Sequence, residues 1–236
     1  MRSIDKIISS DKISENFQSI HMLFDQASFN KNFLSFMNDE IVKKSSGKKK
    51  LVIKKNEKIK IETLLMLLNN NKEVHKRKFE PLGINYNVDK GILLMGNVGC
   101  GKTEILNSIW KWRGPNHLNI QAKKYTAYDI YDMFSEDKTG WKELFNSSSS
   151  LLIDDLGDEP SFKSDYGNYE GPLYRTLKMK LDQIEHMYSP KPKLYITTNE
   201  NKSSLIERYG ERTWDRIVGH CNIITLGSEQ DKSFRQ

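Results

Sequence analysis

Apolar and polar positions fall along this chain in two periods. From about Asp11 to Val42, Ile13, Phe17, Ile20, Phe24, Phe33, Phe36 and Met37 recur mostly three or four residues apart, as on a helix with one apolar face. Ser28 or Asn30 is expected to interrupt that pattern and give two helices. The stripe reads as a small core or, if exposed, as a docking face for a partner. Residues 1–10 carry no such pattern and are expected to fray. Ile59, Ile61, Leu64, Leu65, Leu67 and Leu68 predict a further helix, ended or bent by Asn69-Asn70-Asn71. Pro81-Leu82-Gly83 then breaks the chain.

Beyond that break the period changes. Short runs at Gly91–Met95, Asn119–Tyr125, Leu151–Asp155, Lys193–Asn199 and Asn222–Leu226 read as strands. Helical patterns separate them: Lys102–Trp110, a helix capped by Thr126 and running through Ile130 and Phe134, Trp141–Phe145, Pro172 to about Met187, Ser203–Tyr209 and Thr213–Val218. Strands alternating with helices imply an α/β fold, a parallel sheet sandwiched by helices. In such sheets ligands bind at the C-terminal ends of the strands.

One of those ends carries Gly96-Asn97-Val98-Gly99-Cys100-Gly101-Lys102-Thr103-Glu104. The run fits G-x-x-x-x-G-K-[ST], the phosphate-binding P-loop, in the strand–loop–helix context that motif requires. Glycines let backbone N–H groups converge on phosphate oxygens. Lys102 is expected between the β- and γ-phosphates, and the Thr103 hydroxyl on Mg²⁺. The helix starting there adds its positive end to the anion site. Asp154 ends an apolar strand and is expected to hold Mg²⁺ through water, because Mg²⁺ keeps several waters. Asp155 is expected to orient the attacking water, and Asn199, at the next strand end, to contact that water or the γ-phosphate. No Asn-Lys-x-Asp guanine signature occurs, since Asn201-Lys202 is followed by Ser203-Ser204, so ATP is expected rather than GTP.

Charge adds a second theme. The 236 residues carry a formal charge of +6. Residues 1–90 hold 18 Lys and Arg against 11 Asp and Glu, a net +7, and the remainder holds 19 against 20, a net −1. Lys43-Lys44-Ser45-Ser46-Gly47-Lys48-Lys49-Lys50 reads as a linker or exposed loop, and Lys76-Arg77-Lys78 is a second basic cluster. Either a nucleic acid or an acidic protein face suits this excess, as does a solvated Lys-rich surface. The organisation expected is a basic, mainly helical partner-binding region over 1–80, with its linker near 43–50, and a nucleotide-binding domain over 81–236. No apolar run approaches the roughly 20 residues needed to span a bilayer. The start lacks the apolar core of a signal peptide. Two cysteines, Cys100 inside the P-loop and Cys221, suggest no disulfide scaffold, so a cytoplasmic protein is expected.

Four segments in order, GNVGCGKT, LLIDDLGDEP, ITTN and LIERYGERTWDRI, resemble the AAA+ ATPases of the DnaC/IstB group over about residues 82–226. That group comprises replicative helicase loaders and the ATP-dependent helpers of certain transposases. The resemblance implies a P-loop fold of the AAA+ type without a separate C-terminal lid. It makes Asn199 the polar sensor of strand Thr197-Thr198-Asn199. Arg216 becomes the arginine finger, acting on a neighbour's nucleotide, with Arg212 as the alternative, and Arg235 matches the sensor 2 arginine. The implied partners are a replicative helicase, single-stranded DNA and further copies in a ring. An IstB-like helper on duplex DNA and a nucleotide-dependent regulator or scaffold with little turnover are the other readings. Asp155 stands where many AAA+ proteins have Glu, which implies slow ATP turnover stimulated by partner or DNA.

Overall fold

The computed structural model describes residues 26–53, 57–83, 86–112, 122–137, 141, 149–161, 171–187 and 192–227. The chain forms two compact units, Met1–Val88 with Lys111–Leu118, and Asp89–Trp110 with Asn119–Gln236.

In the first unit, α1 runs unbroken through residues 26–44. The interruption expected at Ser28 or Asn30 does not occur. Polar side chains there bond along the helix, Gln26 Nε2 donating to Asn30 Oδ1 at 2.7 Å. The apolar face also continues past them: Phe29, Phe33 and Met37 are buried. Phe29, Phe33 and Phe36 surround Trp112, with ring centroids 6.2, 5.7 and 5.4 Å from it. Aromatic pairs of this kind add about 0.5–1.5 kcal/mol each beyond area burial. They explain why a segment so far along the chain belongs with this unit, and they make the described part of the stripe core. α1 closes through Ser45 N–H to Ile41 O and Gly47 N–H to Val42 O, with Ser46 and Gly47 at φ +51° and +81°. α2, Lys58–Leu68, buries every residue from Thr63 to Leu68. Short helical turns follow over Lys72–Leu82, capped at their start by Asn71, and Gly83 leaves them at φ +72°.

The second unit holds a five-stranded parallel sheet: β1 Gly91–Met95, β2 Ala122–Thr126, β3 Ser150–Asp154, β4 Leu194–Thr198 and β5 Cys221–Thr225. Their order is β2-β3-β4-β1-β5. The helices are α3 Lys102–Lys111, whose last residue joins the first unit, α4 Ala127–Glu136, α5 Pro172–His186, α6 Lys202–Tyr209 and α7 Glu211–His220. Thr126 caps α4 as expected, in a reciprocal capping box with Asp129. Leu93, Leu151, Ile153, Leu194, Ile196 and Cys221 pack on one face with α4, α5, α6 and α7. Alternation along strands sends Leu152, Asp154, Tyr195 and Thr197 to the other face. α3 covers that side, because Lys124, which pairs with Leu152 in register, bonds Asn107 of α3. With a P-loop leading out of β1 into α3, this is an α/β P-loop fold, a parallel sheet with helices on both faces. Among the described residues no helix is long and apolar enough to cross a membrane.

The expected strand at Asn119–Tyr125 is observed from Ala122 onward, residues 119–121 lying outside the described set. Residues 11–25 of the first expected helix and 142–145 of the helix at Trp141 also lie outside it.

Candidate nucleotide site

Gly96 follows β1 at φ +150°, and a Cβ there would sit 2.0 Å from Leu226 O, so only glycine fits. Gly101 has φ +88°, and a Cβ there would meet nothing within 4 Å. The space beside this last glycine of the loop is open, so a phosphate can approach the backbone there. Asn97 and Val98 form an exposed tip, while Cys100 is buried. Helix α3 starts directly after Gly101, whose carbonyl accepts from Ile105 N–H at 2.9 Å. Glu104 lies half-buried in its first turn.

Lys102 is buried and folded into the loop. Its Nζ donates to Gly96 O at 2.7 Å, Asn97 O at 3.0 Å and Asn199 Oδ1 at 2.8 Å, with Cys100 Sγ at 3.6 Å. The P-loop lysine and the expected sensor therefore meet across β1 and β4. A carbonyl pair is a weaker partner for an ammonium than phosphate oxygens are.

Asp154 is buried at the end of β3. Its Oδ1 accepts from Thr197 Oγ1 at 2.6 Å and lies 3.3 Å from Thr103 Oγ1. Lys124 Nζ is 3.7 Å from its Oδ2. Among the described residues no three His, Cys, Asp or Glu cluster as metal ligands. A P-loop Mg²⁺ needs no such cluster, because a hydroxyl, one carboxylate, phosphates and water suffice. Thr103 and Asp154, side by side, fit that requirement.

Asp155 turns away from the strand at φ +57°, uncommon for a residue with a Cβ. Its N–H donates to Thr197 Oγ1 at 2.8 Å, Leu156 N–H donates to Thr197 O at 2.8 Å, and Asp158 N–H closes the turn on Asp155 O. Partial burial raises the Asp155 pKa, and the carboxylates of Asp154 and Asp158 raise it further, against Lys102 and Lys124.

Glu159 anchors the following loop. It is buried, takes Gly157 N–H at 3.0 Å, and bonds both Arg208 and the Tyr209 hydroxyl. Two segments that drew the resemblance, LGDEP and ERYG, are thus one hydrogen-bonded unit.

Arg216 lies on α7, paired with its own chain: Nη2 is 2.7 Å from Asp182 Oδ1 and Nε is 3.0 Å from Glu185 Oε1. Arg216, and then His220, hold Glu185 below the usual carboxylate range. Arg212 is exposed, with no ion pair among the described residues. Arg235 lies outside the described residues. Sequence reasoning missed Thr197, Lys124 and Glu159. Thr197 and Glu159 lay inside segments of the resemblance without a role of their own, whereas a lysine on an edge strand gave no signal.

No family model and no curated protein matches this chain. Among the solved structures similar to it are the following three. One is the DnaC helicase loader, at 20% identity over 72% of this chain and 91% of that one, TM-score 0.43. Another is DnaI, at 19% identity over 61% and 73%, TM-score 0.42. The third is domain III of the Thermotoga maritima replication initiation protein DnaA, at 17% identity over 75% and 65%, TM-score 0.47.

Proposed function

We propose that this chain is a DnaC-like AAA+ ATPase, which binds ATP with Mg²⁺ and helps place a replicative helicase on single-stranded DNA. The observation that carries the ATPase reading is the convergence of Lys102, Thr103, Asp154, Asp155 and Asn199 at the ends of β1, β3 and β4. The loader reading is supported by the combination of DLGDEP with ERYGERTWDRI, which the Glu159–Arg208–Tyr209 contacts join physically.

In this reading the P-loop backbone cradles the phosphates and Lys102 exchanges its loop carbonyls for phosphate oxygens. Bound Mg²⁺ would neutralise developing phosphate charge, held by Thr103 and, through water, by Asp154. Asp155 accepts a hydrogen bond from the attacking water and orients it. Asn199, released from Lys102, is free to bond the γ-phosphate or that water. Arg216 acts on the nucleotide of a neighbouring copy, which makes hydrolysis a property of an assembly. Arg235 would reach the nucleotide as the sensor 2 arginine.

Asp155 favours one second reading, a regulator with little turnover, because its carboxylate reaches about one methylene less far than Glu does.

Affinity purification from the native host, with ATP and the Asp155→Asn variant, tests the proposal. A hexameric helicase among the bound proteins is expected. Duplex DNA filaments without a helicase would replace it with the transposition-helper reading. Lys102→Ala should lose ATP affinity by calorimetry, and unchanged affinity would defeat the nucleotide site itself.

A further inference from the structure

The β2 strand contributes a lysine that the proposed reaction does not use. In register, Lys124 pairs with Leu152 and Thr126 with Asp154. Positions two apart on a strand share a face, so Lys124 lies on the Asp154 side of the sheet. There its ammonium is bonded to Asn107 Oδ1 and stands 3.7 Å from Asp154 Oδ2. Thr103 and Asn107 are four apart on α3 and so occupy one helical face. That face addresses Asp154 twice: Thr103 lies at Oδ1, and Asn107 holds Lys124 toward Oδ2. With Thr197 also on Oδ1, both carboxylate oxygens are engaged.

An unconstrained lysine on an edge strand would extend into water. The Lys124 side chain keeps only 26% of its exposure. We infer that Lys124 is the counter-ion of the metal-binding aspartate, and that it sets how tightly the site takes a divalent cation. The inference rests on the nucleotide-site reading above. A dication approaching Asp154 meets the ammonium at close range and has to displace it. Lys124 then keeps Asn107 and turns from Asp154 toward phosphate, and the metal gains only the difference between the two pairings. Its presence weakens metal binding and ties occupancy of the site to nucleotide, whose phosphates replace Asp154 as the partner of Lys124.

The test uses the full chain, ADP as nucleotide and Mn²⁺ as probe, with free Mn²⁺ counted by electron paramagnetic resonance. Neutral Lys124→Met should bind Mn²⁺ about two- to fivefold more tightly, the size expected for giving up one long, partly exposed ion pair. Charge-conserving Lys124→Arg should keep the parental affinity within that margin. Should Lys124→Met fold poorly in a thermal melt, Lys124→Gln removes the charge with a polar side chain, and the same tightening is expected. Equal or weaker Mn²⁺ binding in the folded neutral variant, with ADP affinity in chelator unchanged, overturns the role of Lys124 alone. A parent that binds no ADP at all overturns the nucleotide site and this inference with it.

Discussion

Thr197 is fully buried, and its one hydroxyl serves both acids of the site, donating to Asp154 and accepting the N–H of Asp155. Asp155 sits at positive φ, so its placement depends on such contacts and not on backbone preference. Thr197→Val keeps the shape and removes both bonds. It leaves the Asp155 N–H without its partner, which should cost about 1–3 kcal/mol in urea unfolding. Nucleotide affinity in chelator should be kept while hydrolysis falls. A variant that hydrolyses ATP at the parental rate would show that Thr197 positions nothing. At this scale the sequence exposed the residues whose identity is dictated by ligand chemistry: Gly96, Lys102, Thr103, Asp154. It hid Thr197 and Lys124, because their roles come from which strand lies beside which. Register across β2, β3 and β4 is not written in local spacing.

α5 shows how an element can carry a pattern and an exception to it. Leu173, Thr176, Leu177, Leu181 and Ile184 form its buried face, and Lys180 lies in that same stripe. Its ammonium bonds Ser149 O, and Gln183 Oε1 at 3.0 Å. Burial, and then nearby Lys123, lowers its pKa from 10.5 to about 8. Below about pH 8 the lysine is charged whether the chain is folded or not. Between that value and 10.5 the unfolded chain binds a proton that the folded chain does not, so stability rises with pH. Urea unfolding at about pH 7.5 and about pH 9.5 should show the parent gaining stability relative to Lys180→Met over that interval. A constant difference between the two proteins would contradict the assignment. Periodicity located α5 and the strands, since burial of one face imposes it. It failed at Ser28 and Asn30, where polar residues suggested a break. Packing of Phe29, Phe33 and Phe36 on Trp112, about 80 positions along, keeps α1 continuous, and no local window contains that contact.

Across the whole molecule the charge excess lies in residues 1–90, and its two basic clusters differ. Lys78 pairs with Glu62 at 2.6 Å and Arg77 with Glu73 at 3.7 Å. Lys48, Lys49 and Lys50 are exposed, with no ion pair among the described residues. They are also ordered: Ser45 Oγ accepts Lys49 N–H, and Asn38 Oδ1 accepts Leu51 N–H. If phosphates are the partner, Lys48→Gln, Lys49→Gln and Lys50→Gln together should weaken single-stranded DNA binding and lower its salt slope by about two units, from roughly 0.7 per contact. Neutralising Lys76, Arg77 and Lys78 should change it less. Equal slopes in parent and variant would assign the basic turn to a protein partner or to solvent.

Assembly is the claim on which the proposed ATPase turns, because it gives Arg216 its function in a neighbouring copy. Within one chain Arg216 is held by Asp182 and Glu185, so it has to leave them to serve another site. Those pairs are partly exposed and contribute only about 0–1 kcal/mol, a small barrier beside the gain at a phosphate. The decisive measurement is steady-state ATP hydrolysis by Arg216→Ala and Asp155→Asn, alone and mixed, with mixed assembly confirmed by crosslinking. Each variant alone should bind ATP and turn it over poorly, since a supplied arginine is worth roughly 10³–10⁵ in rate. In the mixture, an Arg216→Ala site facing an Asp155→Asn neighbour has its own water-orienting acid and its neighbour's arginine, so activity should return in part. Confirmed mixed assemblies that stay inactive, or full activity of Arg216→Ala alone, would contradict an ATPase completed by its neighbour.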